Sequence, residues 1–175
     1  MQKGVTVWFT GLSGAGKTTI SKIVEKKLHA LNLQTELLDG DQVREQLTSD
    51  LGYSFEDRMQ NIQRVAYVAN LLTKHHVIVL AAFISPYKVM REYCRQNIGS
   101  YVEVYVKCPI EECIRRDVKG LYKKALDGQM KNFTGISDTF EEPAHPEITV
   151  ETNKSSPEQC AEQIITYLKK HHYII

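Results

Sequence analysis

Gly11-Leu12-Ser13-Gly14-Ala15-Gly16-Lys17-Thr18 is the stretch that decides how this chain folds. It matches the spacing G-x-x-x-x-G-K-[ST] of a phosphate-binding loop. The strand-like run Val5–Phe9 precedes it. An amphipathic pattern follows over Thr18–Leu31, with Ile20, Ile23, Val24, Leu28 and Leu31 on one face. Strand, sharp turn and helix in this order point successive backbone N–H groups inward at phosphate oxygens. The glycines permit the backbone angles that the turn needs and let the phosphates approach closely. The helix start adds its positive dipole end. Lys17 supplies a charge for β- and γ-phosphates, and the Thr18 hydroxyl is a ligand for Mg²⁺. ATP-binding positions are therefore expected at Gly11, Leu12, Ser13, Gly14, Ala15, Gly16, Lys17, Thr18 and Thr19.

Outward from the loop, short apolar runs alternate with helical patterns. The runs are Thr35–Leu38, Val77–Ala82, Val102–Val106 and Ile148–Val150. Near-continuous β-branched runs are the pattern of parallel strands covered on both faces. Helices are expected over Asp57–His75, Tyr87–Asn97, Ile110–Arg116 and Pro157–His171. The alternation predicts an α/β fold of the P-loop type, a parallel five-stranded sheet flanked by helices with right-handed crossovers. One domain over residues 1–175 is expected, without repeats or linkers. Residues 117–145 break the alternation, with clustered lysines and little apolar periodicity. A segment of this kind in a compact domain reads as a functional lid.

Composition narrows the classes. The chain has 175 residues, 42% hydrophobic and 25% charged, with net charge +1. Such a balance gives no global field for nucleic acid. The longest apolar run, Val77–Ile84, is too short to span a bilayer, and the N-terminus carries no secretory signal pattern. Cys94, Cys108, Cys113 and Cys160 show no C-x-x-C spacing, so free thiols in a reducing cytosol are expected.

Two features separate the kinds of P-loop protein. Val77–Ala82 ends without the aspartate that motors and GTPases place after such a strand. Carboxylates follow the second strand instead, as Asp39-Gly40-Asp41. Strand C-terminal ends line the binding crevice of a parallel sheet, so both aspartates are expected beside the loop. There they could organise Mg²⁺ and accept a proton from an attacking hydroxyl. Asn153-Lys154-Ser155-Ser156 lacks the final acid of a guanine-reading motif. These residues leave open a small-molecule kinase for a nucleoside, nucleotide or sugar acid, and a nucleotide-binding regulatory module without turnover.

Further pieces carry a family resemblance. They are Leu38-Asp39-Gly40-Asp41, Asp50-Leu51-Gly52-Tyr53-Ser54, Glu56-Asp57-Arg58, Asn61-Ile62, and Ala82-Phe83-Ile84-Ser85-Pro86. Lys119-Gly120-Leu121-Tyr122-Lys123 and Asn132-Phe133-Thr134-Gly135-Ile136 complete them. With the phosphate loop, they make the chain resemble the adenylyl-sulfate kinase family from Gly4 to about Leu168. Departures are Gln42 in place of asparagine, Tyr53 in place of phenylalanine and Gln63 in place of arginine.

The resemblance implies transfer of a phosphoryl group from ATP to the ribose 3′-hydroxyl of adenylyl sulfate. It implies catalytic positions at Lys17, Asp39, Asp41 and Ser85, with Mg²⁺ at Thr18 and Asp39. The acceptor would meet Asp41, Arg44, Arg58, Asn61, Ile84 and Ser85, with its adenine between Tyr53 and Phe133. Lys119, Gly120 and Leu121 would close over it, and Arg116 would stack on the ATP adenine. A serine at the position of Ser85 is described in the family as a phosphoserine intermediate, although in-line transfer requires none. A cytoplasmic homodimer is implied, with ATP sulfurylase as functional partner and no membrane or nucleic acid.

Overall fold

The run Val5–Phe9 is apolar or β-branched at every position because both faces of its strand are covered. In the computed structural model, which describes residues 2–175, it forms β1 (Val5–Thr10), buried throughout. Met1, included in the expected domain, lies outside the described residues. The other elements in chain order are α1 (Lys17–Ala30), β2 (Thr35–Asp39), α2 (Gly40–Gln46), α3 (Phe55–Lys74), β3 (Ile78–Ala82) and α4 (Lys88–Asn97). Then come β4 (Tyr101–Lys107), α5 (Ile110–Arg116), α6 (Leu121–Leu126), β5 (Ile148–Glu151) and α7 (Pro157–Lys170).

The five strands run parallel in the order β2-β3-β1-β4-β5. Val7 pairs with Leu80 on one side of β1 and with Val102 on the other. Strand alternation divides the core into two layers. Val5, Val7 and Phe9 pack with Ile20, Val24 and Leu28 of α1 and Ile164 and Leu168 of α7. Trp8 packs on the opposite face with Ile62, Val65 and Ala69 of α3 and Met90 and Cys94 of α4. Each such buried side chain contributes about 1.5–3 kcal/mol. Exposed ion pairs such as Lys27–Glu162 add little beside this.

Local signals set the boundaries. The Ser54 hydroxyl caps α3 by accepting from Asp57 N at 3.1 Å. Pro157 is the first helical residue within a capping box between Ser156 and Gln159, which starts α7. All four cysteines are buried free thiols. No helix among the described residues is long and apolar enough to cross a membrane.

Two short helices differ from the sequence expectation. Asp39-Gly40-Asp41, expected only to follow the second strand beside the loop, opens α2, with Asp39 as its cap accepting from Asp41 N at 3.1 Å. The lid segment contains α6, started by Asp117, whose carboxylate accepts from Tyr122 N at 3.0 Å. Both helices span about two turns or fewer, too short for an apolar period to show. The loops after β1, β2 and β3 open on one edge of the sheet, and that edge carries the site.

Candidate active site

The glycine-rich loop is fixed from outside by its own carbonyls. Ser13 O accepts from Tyr122 Oη at 2.7 Å and Ala15 O from Thr152 Oγ1 at 2.8 Å. Gly14 O accepts from Arg116 Nη1 at 3.4 Å. Lys17 Nζ folds back onto Gly11 O (2.8 Å) and Leu12 O (2.7 Å). With the carbonyls so engaged and the Ala15 N–H given to Leu12 O, the other N–H groups of the loop and of the first turn of α1 are the ones left to meet an anion. Gly11 is required because a Cβ there would lie 2.4 Å from Val106 O. Gly14, at φ 74°, sits in the left-handed region. Burial pushes the Lys17 ammonium down to about 8, and the charge of Lys119 pushes the same way.

Thr18 Oγ1 donates to Asp39 Oδ2 at 2.7 Å, which brings the ends of β2 and α1 together. One hydroxyl and one carboxylate, with no nitrogen or sulfur, suit Mg²⁺ that takes its remaining ligands from phosphate and water. No larger group of metal-ligating side chains occurs among the described residues. Asp41 lines the same cleft as Thr18 and Asp39 and pairs with Lys119 of the lid segment.

One cleft joins this loop to a second, basic and aromatic wall. Gly14, Gly16, Lys17, Thr18 and Thr19 line it with Asp39 and Asp41. Arg44, Tyr53, Arg58 and Asn61 form the facing side. The Arg44 guanidinium lies 4.6 Å from the Tyr53 ring centroid and the Arg58 guanidinium 5.7 Å. Arg44 Nη1 donates to Leu51 O and Gly52 O, which holds the loop that presents Tyr53. Arg58 donates to Tyr53 O (2.9 Å), Thr134 Oγ1 (3.1 Å) and Asn132 O (2.5 Å). Asn61 Oδ1 accepts from the Thr48 hydroxyl at 2.7 Å, leaving its amide group for a ligand. Tyr53 is 60% exposed, an open aromatic face at the mouth of the cleft.

Ile84 and Ser85 line the floor after β3. Ser85 is left-handed at φ 41° and buried. Its hydroxyl accepts from Trp8 Nε1 at 3.1 Å and donates to Thr10 Oγ1 at 2.9 Å. Thr10 Oγ1 in turn donates to Ile84 O at 2.7 Å. The serine oxygen is thus spent on the sheet beneath the cleft.

Other expected positions are held by contacts of their own. Phe133 is buried edge-on to Tyr122, with ring centroids 5.0 Å apart. The turn Phe133–Asp138 holds it there, because Phe133 O accepts from the N–H groups of Ile136, Ser137 and Asp138. Arg116 is pinned under the loop by Glu112 (2.9 Å), Gly14 and Thr152 rather than projecting as a stacking surface. Lys119 lines the cleft, whereas Gly120 and Leu121 form the start of α6 behind it. Residues the sequence reading missed are Thr152, as a brace for the loop, and Thr48, Asn132 and Thr134, which orient Asn61 and Arg58. None carries a spacing signal.

Known proteins match this arrangement. A family model for adenylylsulphate kinase matches residues 3–151. The adenylyl-sulfate kinase of Halothermothrix orenii is 52% identical over 173 residues, covering 99% of this chain and 94% of that protein. The Mycobacterium tuberculosis APS kinase CysC, solved in complex with AMPPNP and APS, superposes with a TM-score of 0.93. It is 38% identical, and the match covers 97% of this chain and 99% of that one. A hexameric APS kinase from Thiobacillus denitrificans superposes with a TM-score of 0.76 at 30% identity, covering 99% of this chain and 30% of that one. On the family match and on identity across nearly the whole chain, this protein belongs to the adenylylsulphate kinase family.

Proposed function

We propose that this enzyme transfers the γ-phosphoryl group of ATP to the ribose 3′-hydroxyl of adenylyl sulfate, releasing ADP and 3′-phosphoadenylyl sulfate. The observation that carries the proposal is the single cleft. A phosphate loop forms one side, and Arg44, Tyr53, Arg58 and Asn61 form the other. The first side suits a nucleoside triphosphate, and the second suits a nucleotide with an oxyanion. The relative solved with AMPPNP and APS holds one of each.

The chemistry is a single displacement. The 3′-oxygen bonds to the γ-phosphorus, the bond to the β,γ-bridging oxygen breaks, and the electron pair leaves with ADP. Lys17 leaves Gly11 O and Leu12 O for the triphosphate, and its charge together with the loop N–H groups meets the negative charge of the transferring group. Mg²⁺ held at Thr18 and Asp39 would neutralise phosphate charge. Asp39 is already committed to Thr18, so Asp41 is the carboxylate that takes the 3′-hydroxyl proton, once Lys119 turns from it toward the acceptor. Arg44 and Arg58 hold the phosphosulfate, Asn61 the ribose and Tyr53 the adenine. Holding both nucleotides in line removes about 7–11 kcal/mol from the barrier.

The reading also makes the protein a cytoplasmic homodimer supplied with adenylyl sulfate by an ATP sulfurylase. ADP release is the test, with ATP and a panel of adenylyl sulfate, its 3′-deoxy analogue, AMP, a nucleoside and gluconate. Adenylyl sulfate alone should support turnover. Equal turnover with the 3′-deoxy analogue, or a preference for gluconate, would overturn the assignment.

A further inference from the structure

The strained floor of the acceptor side has a support that lies outside the cleft. Arg91, in α4, is only 3% exposed and is not among the cleft-lining residues. Its guanidinium reaches back toward the strand end. Nη1 donates to Ser85 O at 2.6 Å, and Nη2 donates to Glu141 O at 2.5 Å. The guanidinium carbon lies 5.8 Å from the Phe140 ring centroid. Glu103, itself 5% exposed, is the leading opposite charge acting on it.

The two carbonyls belong to different parts of the chain. Ser85 is the left-handed residue of Ile84-Ser85-Pro86, and Glu141 belongs to the lid segment, residues 117–145. Around Arg91 the two are laced together further. Glu141 N donates to Pro86 O at 2.8 Å, and Lys88 N donates to Glu141 Oε2 at 2.5 Å. Tyr87 Oη donates to the Asp138 carboxylate at 2.6 Å, and Asp138 N in turn donates to Phe133 O together with the N–H groups of Ile136 and Ser137. A non-glycine residue at positive φ persists only when its surroundings over-determine it. Here the Ser85 side chain is held by Trp8 and Thr10, and its carbonyl by Arg91.

We infer that Arg91 is a positioning residue for acceptor binding. Its planar fork fixes the Ile84–Pro86 wall of the cleft by tying it to residues 138–141 of the lid segment, so that the wall keeps its place when the acceptor binds. The rigid guanidinium plane sets the directions of both bonds, which a rotatable ammonium on a flexible stem does not. The donor loop has its own braces in Tyr122, Thr152 and Arg116, so it does not depend on Arg91. The inference rests on the proposed acceptor, adenylyl sulfate.

The test is steady-state ADP release by Arg91→Met and Arg91→Lys, with each substrate varied in turn and thermal unfolding recorded alongside. Arg95→Met is the comparison, because Arg95 sits on the same helix but pairs with Glu147. Arg91→Met should raise the acceptor KM about tenfold or more, with the ATP KM within about twofold of the parent. Arg91→Lys should fall between, and Arg95→Met should leave both constants within about twofold. If the methionine variant does not fold, the lysine variant decides alone. An unchanged acceptor KM in a folded Arg91 variant overturns the inference, as does an equal rise in both KM values or an equal effect from Arg95→Met. A parent enzyme silent with adenylyl sulfate overturns the proposed function and this inference together. An active parent with unaffected variants overturns the inference alone.

Discussion

The loop Gly11–Thr18 and the wall made by Arg44, Tyr53, Arg58 and Asn61 face each other across one cleft, yet they are built on different principles. The loop is contiguous and acts through its backbone. Its carbonyls are tied down by Tyr122, Arg116 and Thr152, so its N–H groups stand ready before any ligand arrives. The wall is assembled from separate segments and acts through side chains. Arg58 reaches across 74 and 76 residues of sequence to Asn132 and Thr134, and Tyr53 remains open to solvent. The donor side is therefore preorganised, whereas the acceptor side depends on how α2, α3 and residues 117–141 come together. Electrostatic preorganisation places most of the rate enhancement on the first side, and binding selectivity on the second.

Substitutions should break the two sides in different ways. The largest effect is expected at Lys17. Lys17→Ala should lower kcat by about 10²–10³-fold or more, since it removes a charge aimed at the transferring group. Circular dichroism should show an intact fold, and near-normal kcat would remove Lys17 from the chemistry. The same residue predicts a pH effect confined to the donor side. With its ammonium pushed down to about 8, free enzyme loses the Lys17 proton as pH rises through that value. The kcat/KM for ATP should then fall about tenfold per pH unit above it. The kcat should stay flat to higher pH, because bound triphosphate restores the proton. A kcat/KM that is flat to pH 9 would contradict the assignment.

On the acceptor side, Arg58→Ala should raise the acceptor KM about tenfold or more and leave the ATP KM nearly unchanged. Initial rates at varied adenylyl sulfate check this, and an unchanged acceptor KM removes Arg58 from the site. The smallest effect is expected from Tyr122→Phe, which removes the bond to Ser13 O. A lost neutral hydrogen bond of about 0.5–1.5 kcal/mol should raise the ATP KM a few-fold and spare the acceptor KM. An acceptor-only effect would mean that Tyr122 supports the lid rather than the loop.

The same contrast explains what the sequence could tell. The phosphate loop is legible because its function needs a fixed spacing within eight residues, and the buried strands are legible because both faces are apolar. Arg44, Arg58 and Asn61 could be named only through resemblance, because nothing local distinguishes them from a solvated helix start. Thr152 and Tyr122 stayed hidden as braces because they act through loop carbonyls more than 100 residues away. Helix α2 left no sequence signal because its first residues are Gly40 and Asp41 and only Val43 within it is buried. Phe133 could likewise be named only through resemblance, and its edge contact with Tyr122 has no counterpart in the local spacing.

The central claim is that the phosphoryl group passes directly from one side of the cleft to the other, without resting on Ser85, whose hydroxyl is engaged by Trp8 and Thr10. The most direct measurement uses ATP made chiral at the γ-phosphorus with three oxygen isotopes, followed by determination of the configuration in the 3′-phosphoadenylyl sulfate formed. One in-line displacement predicts inversion. Retention would require two successive displacements through an enzyme-bound phosphoryl group and would contradict the account.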